Sequence, residues 1–272
     1  MTAAVEFDGV GFVYPDGTRA LADVSMAVPA GQRLAIIGQN GSGKSTLVRQ
    51  LNGLLQPTEG RVLIEGRATK GRHVAELAGR VGLAFQNPDR QIFAGRVRNE
   101  VEFGPRNLGL RGRALDHAVS SALVAVGMAD QAGTNPYDLG YSGRKLLAIA
   151  SILAMGTPIV VLDEPTTGQD ARGVERARRI IADLAASGRT VLAVSHDMRF
   201  VADSFERVVV LRAGRLVLDG SPAEVFAEVN WPVLASTFLE PPVVARVGAH
   251  LGLGSTPTTG ELIARLRGDR LP

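Results

Sequence analysis

Residues 38–46 read Gly-Gln-Asn-Gly-Ser-Gly-Lys-Ser-Thr, which satisfies the pattern G-x-x-x-x-G-K-S/T. They lie between an apolar run, LAIIG, and a run typical of a helix, STLVRQLNGLL. A strand that leads through glycines into a helix is the setting in which this pattern binds phosphate. Glycines let successive N–H groups point inward, and the helix N-terminus adds its positive end to a polyanion. An α/β core with a nucleotide phosphate cradle is therefore predicted, because a flexible Gly/Ser linker leaves the flanking strand and helix unexplained.

The residue types within this cradle predict individual contacts. Lys44 would supply a positive charge to the β- and γ-phosphates, and Ser45 would give its hydroxyl to Mg²⁺. Thr46 would add a contact to the α-phosphate. The predicted nucleotide-binding residues of the loop are Gly38, Asn40, Gly41, Ser42, Gly43, Lys44, Ser45 and Thr46.

A carboxylate pair follows a second apolar run, IVVLD, which is typical of a buried strand. Such a strand would bring Asp163 out at its carboxyl end, the edge where α/β sheets place their ligands. We predict that Asp163 binds Mg²⁺ through water and that Glu164 polarises the attacking water. Alone, Asp-Glu-Pro could equally be a polar strand end, but its combination with the cradle favours the functional interpretation.

The longest uncharged segment runs from Leu146 to Leu162, seventeen residues close to the lower limit for a membrane-spanning helix. Gly156, Thr157 and Pro158 divide it. Helix formers precede this break, and a β-branched run follows it. The segment therefore predicts a buried helix followed by a buried strand, and we expect no membrane span in this chain.

The rest of the sequence predicts which further strands and helices surround the α/β core. The first thirty residues, with a Pro-Asp-Gly turn at 15–17, are typical of antiparallel strands. Apolar runs that alternate with helix-like runs then indicate a mainly parallel sheet covered by helices. The fold class is therefore α/β. We predict a P-loop NTPase core with an antiparallel β edge subdomain in residues 1–220, a helical subdomain inserted at about 87–157, and a small C-terminal helical domain in residues 221–272.

Composition excludes several kinds of site and partner. The chain has 30 basic and 27 acidic residues, and a net charge of +3 over 272 residues makes no basic stripe for a nucleic acid. It has no cysteine, which excludes disulfides, thiolate metal ligands and cysteine nucleophiles. The N-terminus has no basic segment followed by an apolar one, so no secretory signal is expected. We expect no nucleic-acid partner.

Further motifs follow in the order found in the ATP-binding cassette (ABC) ATPases, which the chain resembles over most of its length. Gln86 follows the run VGLAF, and His196 follows VLAVS. The resemblance implies that Gln86 contacts Mg²⁺ and the attacking water, and that His196 contacts the γ-phosphate of ATP. It also implies that Tyr14 stacks on adenine and that Asp170, in TTGQD, lies at a dimer seam. Each residue also has a structural alternative. These are a solvated loop amide for Gln86, a structural histidine for His196, a core aromatic of the hairpin for Tyr14 and a helix cap for Asp170.

One motif departs from the family pattern. The ABC signature is Leu-Ser-Gly-Gly-Gln at the start of a helix, and the spacing before the carboxylate pair places Tyr141-Ser142-Gly143-Arg144-Lys145 there. Only Ser142 and Gly143 match, and they can offer a hydroxyl and a backbone N–H to the γ-phosphate of ATP held by an opposing subunit. Arg144 and Lys145 either contact a phosphate or form a solvated basic face. We expect such a chain to work best in a heterodimer, with a homodimer as the alternative.

Other segments resemble the ATPases of energy-coupling factor (ECF) importers. They are FQNPDRQIF, VEFGPRNLGL and the C-terminal PPVVARVGAHLGL and TTGELIARL. The resemblance implies a second ABC ATPase subunit, a transmembrane coupling subunit and a membrane substrate-binding subunit, at the cytoplasmic face of the cell membrane. ATP hydrolysis would then power uptake of a vitamin or a transition-metal ion. Residues 87–99 would line the groove that receives the coupling helices, or would only pack the helical subdomain.

Other functions stay open at the level of sequence. One is the ATPase of a conventional ABC importer or exporter. Another is a soluble ABC protein acting on nucleic acid or ribosomes, but such proteins usually have tandem cassettes or a long coiled coil, whereas this chain has one cassette with about 98 residues between Lys44 and Ser142. A third is a cassette that binds ATP without hydrolysing it. The intact set of Lys44, Asp163, Glu164 and His196 argues against the third.

Overall fold

Two β-sheets form the framework of the protein within residues 3–268, the part of the chain that the computed structural model describes. The strands of the smaller, antiparallel sheet are β1 (Ala3–Val13), β2 (Arg19–Pro29), β4 (Glu59–Ile64) and β5 (Arg67–Ala68). Their order is β2-β1-β4-β5. Buried residues alternate along β2, and Val24 and Val28 join the same apolar cluster as Leu34 and Ile36 of the larger sheet. The antiparallel edge predicted from the sequence is therefore a separate sheet packed on the core.

The larger sheet holds the apolar runs that the sequence predicts to be strands. Its strands are β3 (Arg33–Ile37), β6 (Val81–Ala84), β7 (Ile159–Asp163), β8 (Thr190–Val194), β9 (Arg207–Arg212) and β10 (Arg215–Gly220). Their order is β10-β9-β3-β8-β7-β6, and all neighbours pair in parallel except the β9/β10 hairpin. Parallel strands share one carboxyl edge, so the loops after β3, β6, β7 and β8 leave from the same side.

Helices cover this sheet and fill the inserted region. Those that flank the sheet are α1 (Lys44–Val48), α2 (Val74–Ala78), α6 (Ala171–Ala186) and α7 (Met198–Ser204). Those in the range predicted for the helical subdomain are α3 (Val97–Asn107), α4 (Gly112–Ala125) and α5 (Tyr141–Met155), with 3₁₀ turns at Pro88–Arg90, Ala129–Gln131 and Pro136–Asp138. The C-terminal helices are α8 (Pro222–Val225), α9 (Trp231–Ala235), α10 (Val243–His250) and α11 (Thr259–Arg267), with a 3₁₀ turn at Glu228–Asn230.

The long uncharged segment divides as predicted. Helix α5 ends at Met155, Gly156 follows in a left-handed conformation, and β7 begins at Ile159. No helix in residues 3–268 is long and apolar enough to cross a membrane.

Two features differ from the sequence expectations. Helix α1 ends at Val48, well before the end of STLVRQLNGLL, because the amides of Gln50 and Leu51 bond three residues back rather than four. The strands β4 and β5 and the short helix α2 have no counterpart among the predicted elements.

The C-terminal helices share the core of the larger sheet. Phe226 and Leu234 are buried in the same apolar cluster as Val208 and Val210 of β9. Helix α8 begins with a capping box, in which Ser221 and Glu224 satisfy each other's backbone N–H groups. Residues after the predicted boundary at 220 therefore pack against the residues before it.

Candidate functional site

An open cleft of about 380 Å³ lies at the carboxyl edge of the larger sheet, beside the hairpin of β1 and β2. Five separate parts of the chain line it, including most of the residues that the sequence predicts for nucleotide and metal contact. The lining residues are Tyr14, Thr18, Arg19, Ala20, Asn40, Gly41, Gly43, Lys44, Ser45, Thr46, Gln86, Asp163, Glu164 and Val194. The fold thus brings together side chains that are far apart in sequence.

Backbone geometry shows why the loop needs glycine at two positions. At Gly43 φ is +104°, a conformation that residues with a Cβ rarely adopt. A Cβ there would lie 2.5 Å from the carbonyl oxygen of Ala20 and 2.8 Å from Cδ2 of Leu21. A Cβ on Gly38 would lie 2.3 Å from the carbonyl oxygen of Leu211. Only glycine lets the loop pack this closely on its neighbours.

Lys44 is the first residue of α1, and the loop holds its ammonium group. Nζ donates to the carbonyl oxygens of Gly38 at 2.7 Å and Gln39 at 2.8 Å. Burial lowers the pKa of Lys44, and the negative charges of Glu164 and Asp163 oppose that shift. The cation is therefore already positioned in the cleft wall, within the field of the two carboxylates.

Asp163 is the buried last residue of β7. Burial raises the pKa of its carboxyl group, and a hydrogen bond with Ser45 opposes that rise. Among the described residues, neither its Oδ1 nor the buried hydroxyl of Ser42 has a hydrogen-bond partner. Buried polar atoms without partners are costly and indicate where a ligand can supply the bonds. A phosphate oxygen fits the hydroxyl, and a hydrated cation fits the carboxylate oxygen.

Glu164 follows Asp163 and contacts His196. Its Oε2 lies 2.7 Å from Nδ1 of His196 and accepts from Oγ1 of Thr167 at 3.3 Å. The Glu164 side chain is buried, whereas 61% of the His196 side chain is exposed. Glu164 has φ of +56°, and its N–H donates to the carbonyl of Val194 at 2.9 Å. Such a backbone conformation is uncommon for glutamate and is concentrated at functional sites.

Tyr14 and Gln86 both line the cleft. The Tyr14 hydroxyl lies 2.8 Å from Oγ1 of Thr46, and its ring packs edge-to-face on Phe12 with centroids 4.9 Å apart. Gln86 is exposed, and its carbonyl accepts from the hydroxyl of Tyr141 at 3.2 Å. Contacts with α1 and β1 thus hold Tyr14 in place, while Gln86 is exposed at the cleft.

The signature-like residues lie at the start of α5, outside the lining of the cleft. Ser142 is the second residue of the helix and Gly143 the third. The Ser142 hydroxyl donates to Oε1 of Gln169 at 2.8 Å, and Nε2 of Gln169 donates back to the Ser142 carbonyl at 3.2 Å. Asp170 accepts from the N–H of Gly173 at 2.8 Å and so caps α6. Their contacts with an opposing subunit stay predictions.

Arg144 and Lys145 do not form the solvated basic face that was one expectation for them, and a contact of either with phosphate stays a prediction. Nε of Arg144 lies 2.8 Å from Oδ1 of Asp89, and its Nη1 donates to the carbonyl of Leu139 at 2.5 Å. Lys145 is 1% exposed, and its Nζ donates to the carbonyl of Thr167 at 3.3 Å. The reason is that α5 is packed on most sides, so its first turn binds neighbouring loops rather than water.

Sequence reasoning missed Gln169 and the burial of Lys145. The spacing of apolar residues indicates the burial of Lys145, because Ile149 and Ile152 follow it by four and seven residues and all three share one helical face. No sequence pattern indicates the contact of Gln169, because its partner Ser142 lies 27 residues earlier and the two meet only in the folded chain.

Proteins of known family are similar to this chain in sequence. A family model described as ABC transporter matches residues 21–167. The energy-coupling factor transporter ATP-binding protein EcfA of Methanothermobacter thermautotrophicus is 39% identical over 265 residues, which cover 97% of this chain and 80% of the relative. The protein of the same description from Carboxydothermus hydrogenoformans is 42% identical over 220 residues, which cover 81% of this chain and 82% of the relative.

Solved structures share the fold. CbiO1 from Clostridium perfringens, described as part of the ABC transporter complex CbiONQ, gives a TM-score of 0.76 at 30% identity and covers 93% of this chain and 100% of that one. An ATP-binding cassette in a dimeric post-hydrolysis state, bound to ADP and Pi, gives a TM-score of 0.74 at 26% identity. The match covers 80% of this chain and 98% of that one. The chain therefore belongs to the ABC transporter family, as an ATP-hydrolysing ATP-binding subunit of the energy-coupling factor type.

Proposed function

We propose that ATP hydrolysis by this chain powers uptake of a vitamin or a transition-metal ion through membrane partner subunits. The observation that carries this proposal is the meeting of a buried cation, a buried carboxylate pair and a histidine at one sheet edge. These residues are Lys44, Asp163, Glu164 and His196. Such a set suits phosphoryl transfer to water, in which catalysis depends on positioning and charge neutralisation.

ATP would bind in the cleft with its phosphates in the glycine-rich loop. Lys44 and the loop backbone would hold the β- and γ-phosphates, and Tyr14 would stack on adenine. Mg²⁺ would be held by Ser45, Asp163 and Gln86, and when bound it would neutralise charge on the phosphate oxygens. No three His, Asp or Glu side chains converge on one metal position in residues 3–268. A few protein ligands suffice, because Mg²⁺ usually completes its shell with substrate phosphates and water.

Glu164 and His196 would act together on the attacking water. The Glu164 carboxylate accepts hydrogen bonds, so it can orient a water and take its proton. Nδ1 of His196 contacts that carboxylate, and 61% of the His196 side chain is exposed. That exposed part would reach the γ-phosphate and stabilise the charge that develops there.

A second ATPase subunit would complete the site. Ser142 and the N–H of Gly143 would contact the γ-phosphate of ATP in the opposing subunit, and Asp170 would lie at the seam. Because the Ser142 hydroxyl is bonded to Gln169 in the single chain, closure would exchange that bond for one to phosphate. We infer a heterodimer, since only Ser142 and Gly143 match the signature pattern. High ATPase activity of this chain alone, unaffected by a candidate partner, would contradict the heterodimer.

The relatives support a membrane assembly. Two curated relatives are described as energy-coupling factor transporter ATP-binding proteins, and CbiO1 is described as part of a transporter complex. By analogy, this chain would bind a coupling subunit and a substrate-binding subunit at the cytoplasmic face of the membrane. Copurification of the tagged chain from detergent-solubilised membranes, followed by identification of the bound polytopic proteins, tests this. Recovery of the chain without any membrane protein would contradict it.

Glu164→Gln tests the chemistry. The amide keeps the size of the side chain but accepts a proton poorly, so ATP affinity should stay within about twofold while turnover falls at least about 100-fold. Binding of a fluorescent ATP analogue and release of phosphate measure the two effects separately. Glu175→Gln on the exposed face of α6 is the matched control and should leave both unchanged. Full turnover in Glu164→Gln would show that another group activates the water.

A further inference from the structure

Lysine is rare in this chain, and two of its lysines are buried near the catalytic carboxylates. The sequence has 27 arginines and three lysines, Lys44, Lys70 and Lys145. Lys70 is exposed, whereas Lys44 and Lys145 are buried. Burying an ammonium group is costly unless nearby charges and hydrogen bonds compensate. The function proposed above uses Lys44 and leaves Lys145 without a role.

Contacts join Lys145 to Glu164 through one residue. Nζ of Lys145 donates to the carbonyl of Thr167 at 3.3 Å. The N–H of Thr167 donates to the carbonyl of Glu164 at 3.3 Å, and its Oγ1 donates to Oε2 of the same glutamate, also at 3.3 Å. Thr167 therefore holds both the backbone and the carboxylate of Glu164, and Lys145 holds Thr167.

The position of Glu164 depends on such support. Its left-handed backbone conformation is uncommon for glutamate and persists only when surrounding contacts fix it. On one side, the carbonyl of Val194 accepts its N–H, and His196 contacts its carboxylate. On the other side, the contacts come from Thr167. Loss of the second set would leave the carboxylate free to turn.

Electrostatics also connect Lys145 with the site. Burial lowers the pKa of Lys145 to about 8, and the charges of Glu164 and Asp163 act against that shift. The ring of Tyr141 lies beneath the ammonium group, 5.9 Å from centroid to Nζ, and packs against Gly168. The cation is therefore enclosed between the first turn of α5 and the loop after β7.

We propose that Lys145 is a positioning residue for ATP hydrolysis, because its ammonium group holds Thr167 in the place from which Thr167 holds Glu164. This inference rests on the proposed role of Glu164 in activating water. Lys145 does not touch nucleotide in this scheme. Its loss should therefore lower kcat while the affinity for ATP stays the same.

Lys145→Met tests the inference in the ATPase assembly in which the wild-type chain turns over, with Lys70→Met as the matched control. Methionine keeps much of the length of the side chain and removes the charge. We expect kcat to fall about 10- to 100-fold, as for a misplaced catalytic group, with KM and ATP binding within about twofold. Lys70→Met should match the wild type. The melting temperature of each variant reports whether it folds.

Thr167→Val provides a second test that leaves the buried ammonium group in place. It removes the hydroxyl that contacts Glu164, so kcat should again fall with KM unchanged. The double variant should lose less than the product of the two single losses, because both changes break one chain of contacts.

Three results would overturn the inference. They are unchanged kcat in folded Lys145→Met, unchanged kcat in Thr167→Val, and a loss in Lys145→Met that lies in KM alone. Glu164→Gln separates this inference from the proposed function. If Glu164→Gln abolishes turnover and Lys145→Met does not lower it, only the role of Lys145 fails. If Glu164→Gln retains turnover, the proposed base is wrong.

Discussion

Two buried ammonium groups and two buried carboxylates lie in the interior of the site. Burial lowers the pKa of Lys44 and Lys145, while Glu164 and Asp163 favour the charged form of both lysines. Burial raises the pKa of Asp163, and Lys145 is among the charges that oppose this. In the nucleotide-free protein, the negative charges of the carboxylates therefore stabilise the positive charges of the lysines. A neutral substitution at Asp163 or Glu164 therefore changes the field at both lysines.

Lys145 should give the stability of the protein a distinct pH dependence. Burial lowers its pKa from the ordinary value of 10.5 to about 8. Between these two values the unfolded chain keeps a proton that the folded chain has released, so stability rises with pH. From pH 7 to 9.5 this group should add about 2 kcal/mol to the free energy of unfolding. Lys145→Met should lack that part of the rise.

Denaturant unfolding of the nucleotide-free protein at both pH values measures the difference. Comparing the wild type with Lys145→Met cancels the contributions of titrating groups that do not interact with Lys145. Equal changes with pH in the two proteins would show that the folded state keeps the proton on Lys145 throughout this range.

At the level of elements, the first turn of α5 and the loop between β7 and α6 form one connected unit. Ser142 pairs with Gln169, and Lys145 binds Thr167. The ring of Tyr141 packs on the same loop. Two of the residues that depart from the ABC signature, Tyr141 and Lys145, therefore contact the loop that carries the proposed base, so we expect a change in one element to affect the other.

Substitutions of Ser142 and Gln169 test whether Ser142 acts within its own chain or on the nucleotide of an opposing subunit. If Ser142 binds the nucleotide of that subunit, Ser142→Ala should lower kcat about tenfold or more, as loss of a charge-stabilising donor does. Gln169→Leu leaves the hydroxyl intact and removes its competing acceptor, so turnover should be retained or raised. Steady-state ATPase rates of the single and double variants measure this. Equal losses in both single variants, with no further loss in the double, would show that Ser142 acts through Gln169.

The elements differ in how far the sequence predicted them. Strands β3, β7 and β8 are continuous apolar runs buried on both faces, so their pattern alone identifies them. The strand β4 has three exposed residues out of six, and β5 has only two residues, so neither carries a periodic signal. The cradle was predictable because its contacts are local. The pairing of Ser142 with Gln169 and the support of Glu164 by Lys145 arise only when the chain folds.

On the scale of the whole molecule, the C-terminal helices belong to the same packed unit as the sheet that carries the site. Phe226 is 1% exposed and joins the apolar cluster that includes β9. The indole N–H of Trp231 donates to the carbonyl of Phe226 at 2.9 Å, and Arg212 at the end of β9 donates to Ser236 at 2.6 Å. The strand β9 is in turn paired with β3, which leads into the phosphate loop. Damage in the C-terminal segment should therefore reach the nucleotide site.

Phe226→Ala tests whether the chain unfolds as one unit. Removing a fully buried phenylalanine should cost about 3–5 kcal/mol, and the loss should lower the stability of the whole chain. Phe238→Ala is the matched control, because Phe238 is 84% exposed and its loss should change stability by less than about 0.5 kcal/mol. Trp231 is the only tryptophan, so its fluorescence reports the C-terminal segment while circular dichroism reports all helices and strands. Both signals should change in one transition, shifted equally by Phe226→Ala. A fluorescence transition that moves while the dichroism transition stays at its wild-type midpoint would show instead that residues after 220 unfold independently of the ATPase.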